Sequence, residues 1–293
     1  MSVADNFLTF CSNILISTDK RSSIGNRYGL MIQRLNIDFW DESSKTKNSR
    51  YVGSYGRGTA IKGFSDLDMI FILPYGVYKR INDNIGNGQA ALLQEVRNSL
   101  KKTYNSTHIG ADGQVVAINF DDDISFEIVP VFINKDDSYT YPDSNDGGSW
   151  KVTNPVPEIK AVADMDEKCN NNLKRLCKMM RAWKNKWSVP MGGLLIDTLA
   201  HSFIKNWGHR DKSYLYYDFI SRDFFKYISE QDKDKSYWLA VGSNQRVYRK
   251  GLFEAKAKKC YNLSLEAIQC ESDEYSYSAK SKWREIYGTK FPS

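Results

Sequence analysis

Hydrophobic positions recur at helical spacing over residues 3–18 and again over about 23–40, which predicts two opening helices. Runs rich in β-branched and aromatic residues follow at 68–73, 114–120 and 124–134 and read as strands, with a helical stretch at 89–103 between the first two. Residues 136–158 hold Asp, Ser, Gly and three prolines with little apolar periodicity, and predict a surface loop joining two halves. Beyond it the spacing is helical to the end, without internal repeats. The pattern predicts an α+β chain: a half built on a mixed sheet over 1–158, whose opening helices are free to pack on the second half, and a helical half over 159–293.

The strand at 68–73 carries unusual passengers. Asp66 and Asp68 alternate at its start, so both side chains fall on one face, roughly 6.6 Å apart by strand rise. Carboxylates so placed resist ionising together unless cations neutralise them. A turn precedes them, Gly53-Ser54-Tyr55-Gly56-Arg57-Gly58-Thr59. Its glycines let backbone N–H groups approach an anion closely, a helix starting there would add its dipole, and Ser54 offers a hydroxyl donor. Hard oxygen ligands beside a phosphate-binding turn suit Mg²⁺, with Mn²⁺ as a substitute. Arg57 and Lys62 flank the turn and fit phosphate contacts and surface roles equally.

A third carboxylate is expected from the strand 124–134, where Glu127 is the only acid. The run Asp121–Asp123 lies just before it, where a turn is expected, and supplies the alternative ligand. Asp66, Asp68 and Glu127 together suit two metal ions and an in-line displacement at phosphorus, the chemistry of nucleotidyl transfer. From Lys168 to Trp187 there are seven basic residues and no acid, beside an apolar stripe of Leu173, Leu176, Cys177, Met180, Trp183 and Trp187. Nothing within the segment offsets that repulsion, so a triphosphate is a natural partner.

Composition agrees. The 293 residues are 41% hydrophobic and 26% charged, a globular balance, and a net charge of +6 suits anionic nucleotides without demanding nucleic acid. Five scattered cysteines with no C-x-x-C pair imply reduced thiols and argue against a structural zinc site. No apolar run reaches a membrane span and no signal peptide is evident, so a cytoplasmic location is expected. His108, His201 and His209 lack ligand spacing and read as ordinary imidazoles. The ten aromatics of 207–238, among them Tyr214, Tyr216 and Tyr217, read mainly as core, with one left to stack on a base.

The Gly-Ser turn, the Asp-x-Asp strand and the later acidic strand resemble the polymerase-β-like nucleotidyltransferases, and most of all the bacterial CD-NTases, relatives of cyclic GMP-AMP synthase and oligoadenylate synthase. The likeness extends to Leu176–Lys184, to Pro190–Leu199 and to Tyr237–Ser243. Glu127 departs from the Asp of many relatives, and Gly192-Gly193 from a Ser followed by an aromatic. The resemblance implies a polymerase-β-like catalytic half and an oligoadenylate-synthase-like helical half. It implies Lys178 and Arg181 as triphosphate ligands beside Gly53 and Ser54, and a cleft for ATP or GTP. It further implies a cyclic di- or trinucleotide product, anti-phage (CBASS) signalling through a separate effector, and control by a regulatory protein rather than by zinc-dependent DNA binding. RNA-end addition of the CCA type and a catalytically silent nucleotide sensor are the competing readings.

Overall fold

The computed structural model describes residues 2–63 and 66–293. In chain order the elements are α1 (Val3–Asn13), α2 (Thr18–Trp40), β1 (Ser49–Tyr51), α3 (Gly53–Gly56), β2 (Leu67–Ile72), α4 (Tyr75–Asn82), α5 (Gly88–Lys101), β3 (His108–Asp112), β4 (Val115–Asn119), β5 (Ser125–Ile133), β6 (Tyr139–Asp143) and β7 (Ser149–Thr153). They continue as α6 (Pro155–Lys168), α7 (Asn172–Lys186), α8 (Gly193–Asn206), α9 (Tyr217–Ser229), β8 (Tyr237–Leu239), β9 (Arg246–Tyr248), α10 (Glu254–Ser272) and α11 (Ser276–Tyr287). The two opening helices separate at Ser17, whose hydroxyl caps α2 by accepting from the Lys20 N–H.

Contacts divide the chain into two units. One comprises Ile16–Gly56 and Ser65–Val156; the other comprises Met1–Leu15, Arg57–Phe64 and Pro157–Ser293. The expected division at 158 therefore needs refinement, because α1 and the link between α3 and β2 group with the helical unit.

In the sheet unit the strands run β1-β2-β5-β4-β3, with β6 pairing β5 and β7 pairing β6. β2 and β5 are parallel and the other pairs antiparallel, giving the mixed sheet that the sequence predicts. Alternate residues Leu67, Met69, Phe71, Phe126 and Ile128 face a core shared with Met31 and Leu35 of α2 and Leu92 and Val96 of α5. Residues 136–158 are not the expected loop. The short alternation of 139–153 forms two strands extending the sheet past β5, and Pro155 opens α6. Five-residue strands, one carrying Pro142, give too brief a period to stand out from turn residues.

The helical unit has its own core. The expected stripe of α7 is buried at Leu173, Leu176, Cys177, Met180 and Trp183, and packs with Leu195, Phe225 and Phe253. α1 inserts Phe7 and Phe10 among Tyr287 and Phe291. The antiparallel pair β8–β9 interrupts what the sequence presents as continuous helix.

Asp218, in the first turn of α9, is buried, and burial lifts its carboxyl from 3.8 to about 6. Between those values the folded chain holds a proton that the unfolded chain has lost, so this residue's stabilising influence falls as pH rises through that window. Asp218→Asn should therefore raise stability at pH 8 by on the order of 1–3 kcal/mol. Thermal unfolding at pH 8 and pH 4 checks this, with the gain vanishing at pH 4.

Candidate active site

β1 ends at Tyr51 and the chain bends through Val52 into α3. The bend is tied to β2, since the Val52 N–H donates to the Asp68 carbonyl at 2.9 Å, and it closes with the Gly56 N–H on the Val52 carbonyl at 2.8 Å. Gly53 has a φ of 57°, and a Cβ there would lie 1.7 Å from Asp68 Oδ2. Left-handed backbone and direct approach to a carboxylate both require glycine. α3 is a single turn, so the expected helix dipole is small.

The parallel register of β2 and β5 sets Asp68 opposite Glu127. Alternation then puts Asp66, Asp68, Ser125 and Glu127 on one face, with the apolar residues between them turned to the core. The Ser125 hydroxyl donates to Asp66 Oδ1. On its other side Glu127 has the small Ala117 of β4 as neighbour. Asp66 is exposed, whereas Asp68 and Glu127 are half-buried. Burial pushes the Glu127 carboxyl up, and the charges of Asp68 and Asp66 push it further in the same direction. Asp122, part of the alternative run, instead pairs with Arg27 at 2.7 Å, and Asp123 takes a turn conformation with φ of 60°.

Among the described residues no three His, Cys, Asp or Glu side chains form a ready-made ion site. The donor set nevertheless fits a hard divalent cation. It is made of carboxylates alone, on one sheet face, and its crowding already disfavours the ionised form of Glu127.

In the helical unit the expected phosphate ligands of α7 separate. Arg181 is 5% exposed, and its guanidinium donates to Asp197 Oδ1 at 2.6 Å, Asp197 Oδ2 at 2.9 Å, the Gly193 carbonyl at 3.1 Å and the Cys177 carbonyl at 3.2 Å. All four bonds are internal, so the guanidinium expected to meet a triphosphate is engaged within the helical unit. Arg57 is likewise buried, donating through Nε to Asp197 Oδ2 at 2.8 Å. Lys174 lies 3.4 Å from Asp166. Lys178, between them in sequence, makes no hydrogen bond or ion pair among the described residues, and burial draws its ammonium below the usual lysine range. Thus α7 is not the uncompensated basic helix that its own sequence presents; Asp166 and Asp197, outside it, answer part of the charge.

The comparisons with known proteins agree with this architecture. The Second Messenger Oligonucleotide or Dinucleotide Synthetase (SMODS) domain family matches residues 1–166. A probable cyclic nucleotide synthase of Bacillus cereus (strain VD146) is 22% identical over 276 residues, covering 82% of this chain and 81% of that protein. CdnC of E. coli MS115-1, in its complex with HORMA-deltaN, has a similar structure with a TM-score of 0.70 at 12% identity, over 99% of this chain and 98% of that one. E. coli DncV in its 3'-deoxy GTP bound form gives a TM-score of 0.67 at 13% identity, over 96% and 94%. The polymerase-β-like α+β fold expected from the sequence is the fold observed. The chain belongs to the SMODS family of second-messenger oligonucleotide and dinucleotide synthetases and has the fold of the bacterial CD-NTases.

Proposed function

We propose that this chain joins nucleoside triphosphates, without a template, into a cyclic di- or trinucleotide, with Asp66, Asp68 and Glu127 holding Mg²⁺. The observation that carries the reading is the β2–β5 register, which aligns Asp68 with Glu127 beside a glycine whose backbone abuts Asp68. When bound, the ions would neutralise charge on the triphosphate and lower the pKa of the attacking hydroxyl. Gly53 and Ser54 would offer an N–H and a hydroxyl to phosphate oxygens, and Lys178 is the α7 residue proposed to bind the triphosphate. Glu127, as a carboxylate, would also take up the hydroxyl proton. The hydroxyl oxygen attacks the α-phosphorus of a second nucleotide, and pyrophosphate leaves. The chain offers one Asp-x-Asp strand, so closing the ring uses the same carboxylates. The linear intermediate turns until its own triphosphate meets them, and ring closure releases a further pyrophosphate, so that one leaves for each bond formed.

Substrates are proposed to be ATP or GTP, a choice supported by the nucleotide in the DncV structure. A regulatory protein partner is proposed from the likeness to CdnC, whose structure is of a HORMA complex. A role in anti-phage signalling through an effector that senses the product completes the proposal. Among the described residues no helix is long and apolar enough to cross a membrane.

Mass spectrometry after incubation with all four NTPs, Mg²⁺ and no polymer tests the reading. A cyclic oligonucleotide supports it. A requirement for tRNA would favour CCA-type addition, and nucleotide binding without any product would favour a silent sensor. Glu127→Gln should lower turnover by roughly 10²-fold or more. Glu127→Asp, which keeps the charge on a shorter arm, should fall between Gln and wild type in the same assay.

A further inference from the structure

Four charged side chains are buried together in the helical unit. Asp197 is 0% exposed, and its two oxygens accept from Arg57 Nε, Arg181 Nη1 and Nη2, and the Thr59 hydroxyl, the last at 3.0 Å. Arg57 Nη1 also lies 3.5 Å from Glu158 Oε2, and Glu158 Oε1 accepts from the Ser243 hydroxyl at 2.8 Å. Two guanidinium and two carboxylate groups balance in charge. Burying them carries a desolvation cost that a well-packed apolar cluster of the same volume would avoid, so net stability is a poor account of the arrangement. What it does provide is directional bonding to one short stretch of chain.

That stretch is the covalent link between the two parts of the candidate site. Arg57 follows α3 directly, three residues after Ser54, and Thr59 lies seven residues before Asp66. Arg57, Thr59, Ala60 and Ile61 are all buried, and the Lys62 N–H donates to the Ile14 carbonyl at 3.0 Å, which anchors the far end of the stretch. Three residues reach no more than ~11 Å when fully extended, so holding Arg57 restricts where Ser54 can go.

We infer that the Arg57–Asp197–Arg181–Glu158 cluster, with Thr59, is a positioning device that fixes the link between the phosphate-binding turn and the Asp-x-Asp strand. These are positioning residues; none is assigned to touch substrate. The inference rests on the proposed function for its effect on turnover, but not for its effect on the motion of the link.

Thr59 gives the cleanest test, because Thr59→Val keeps the buried shape and removes one bond to Asp197, while Thr59→Ser keeps the hydroxyl. Thr59→Val should lower kcat for product formation about tenfold or more, a loss of the size that small misplacements cause. KM for NTP should stay within about threefold, because the binding groups themselves remain. Thr59→Ser should restore kcat to within about twofold of wild type. Hydrogen–deuterium exchange should accelerate across 53–63 in Thr59→Val and stay unchanged in α10, with the melting temperature nearly preserved. Wild-type turnover together with wild-type exchange in Thr59→Val overturns the inference. So does a loss that serine fails to rescue, or one spread evenly over the whole chain. If the wild-type protein makes no product, the functional reading fails instead, and the exchange comparison still decides the fate of the cluster.

Discussion

Replacing Asp66 and Asp68 together by Asn should abolish turnover and leave the fold intact. Asn matches Asp in shape, so the register of β2 against β5 and the core beneath it have no reason to change. The charges that would hold the metal ions are lost, and with them several kcal/mol of transition-state charge stabilisation, or roughly 10³-fold or more in rate. Glu127 gives a second reason to expect an intact fold. Its carboxyl is pushed up by both aspartates, so the double variant relieves a like-charge repulsion. Turnover measured beside thermal unfolding checks both halves of this expectation, and an active, well-folded double variant would sink the assignment of the two aspartates.

The largest stability effect is expected from Asp197→Ala. That change strips the shared partner from two arginines that are each about 5% exposed. Among the described residues Arg57 would keep only the longer contact to Glu158, and Arg181 only two carbonyls. An ion pair broken by removing one side leaves buried charge behind and typically costs about 3–5 kcal/mol, a large part of the stability of any domain. Asp197→Asn, which retains an acceptor oxygen but no charge, should cost less. Denaturant unfolding of the two variants checks the order. Equal stability of Asp197→Ala and wild type would show that the cluster is solvated in solution.

The site was legible where its logic is local. Gly53, Ser54, Asp66 and Asp68 lie within one short stretch, and strand alternation alone puts the two aspartates on one face. Glu127 stood out as the single acid in an apolar strand, but its pairing with Asp68 is a long-range register that spacing does not contain. The internal pairing of Arg181 was hidden for the same reason. Its counter-ion Asp197 sits on the next helix, where the sequence shows only an acid among apolar residues. The amphipathic periods of α1, α2, α5 and α7 were long enough to read. The five-residue strands β6 and β7 and the three-residue strands β8 and β9 were not, because pairing partners rather than period make them strands. The sequence left the opening helices free to pack on the second half; that α1 does so and α2 does not was beyond reach, since the direction in which Phe7 and Phe10 point depends on residues near 217–291 that close the same core.

The claim that one set of carboxylates makes and closes a ring is tested most directly with NTPs labelled at the α-phosphate, Mg²⁺ and no polymer, followed by phosphatase. A ring has no terminal phosphate, so the account predicts a product that keeps all of its label through the phosphatase step and is absent with the Asp66→Asn, Asp68→Asn protein. Release of the whole label would mean that no phosphodiester formed. Release of the terminal share alone, or product only when tRNA is supplied, would contradict cyclic, template-independent synthesis.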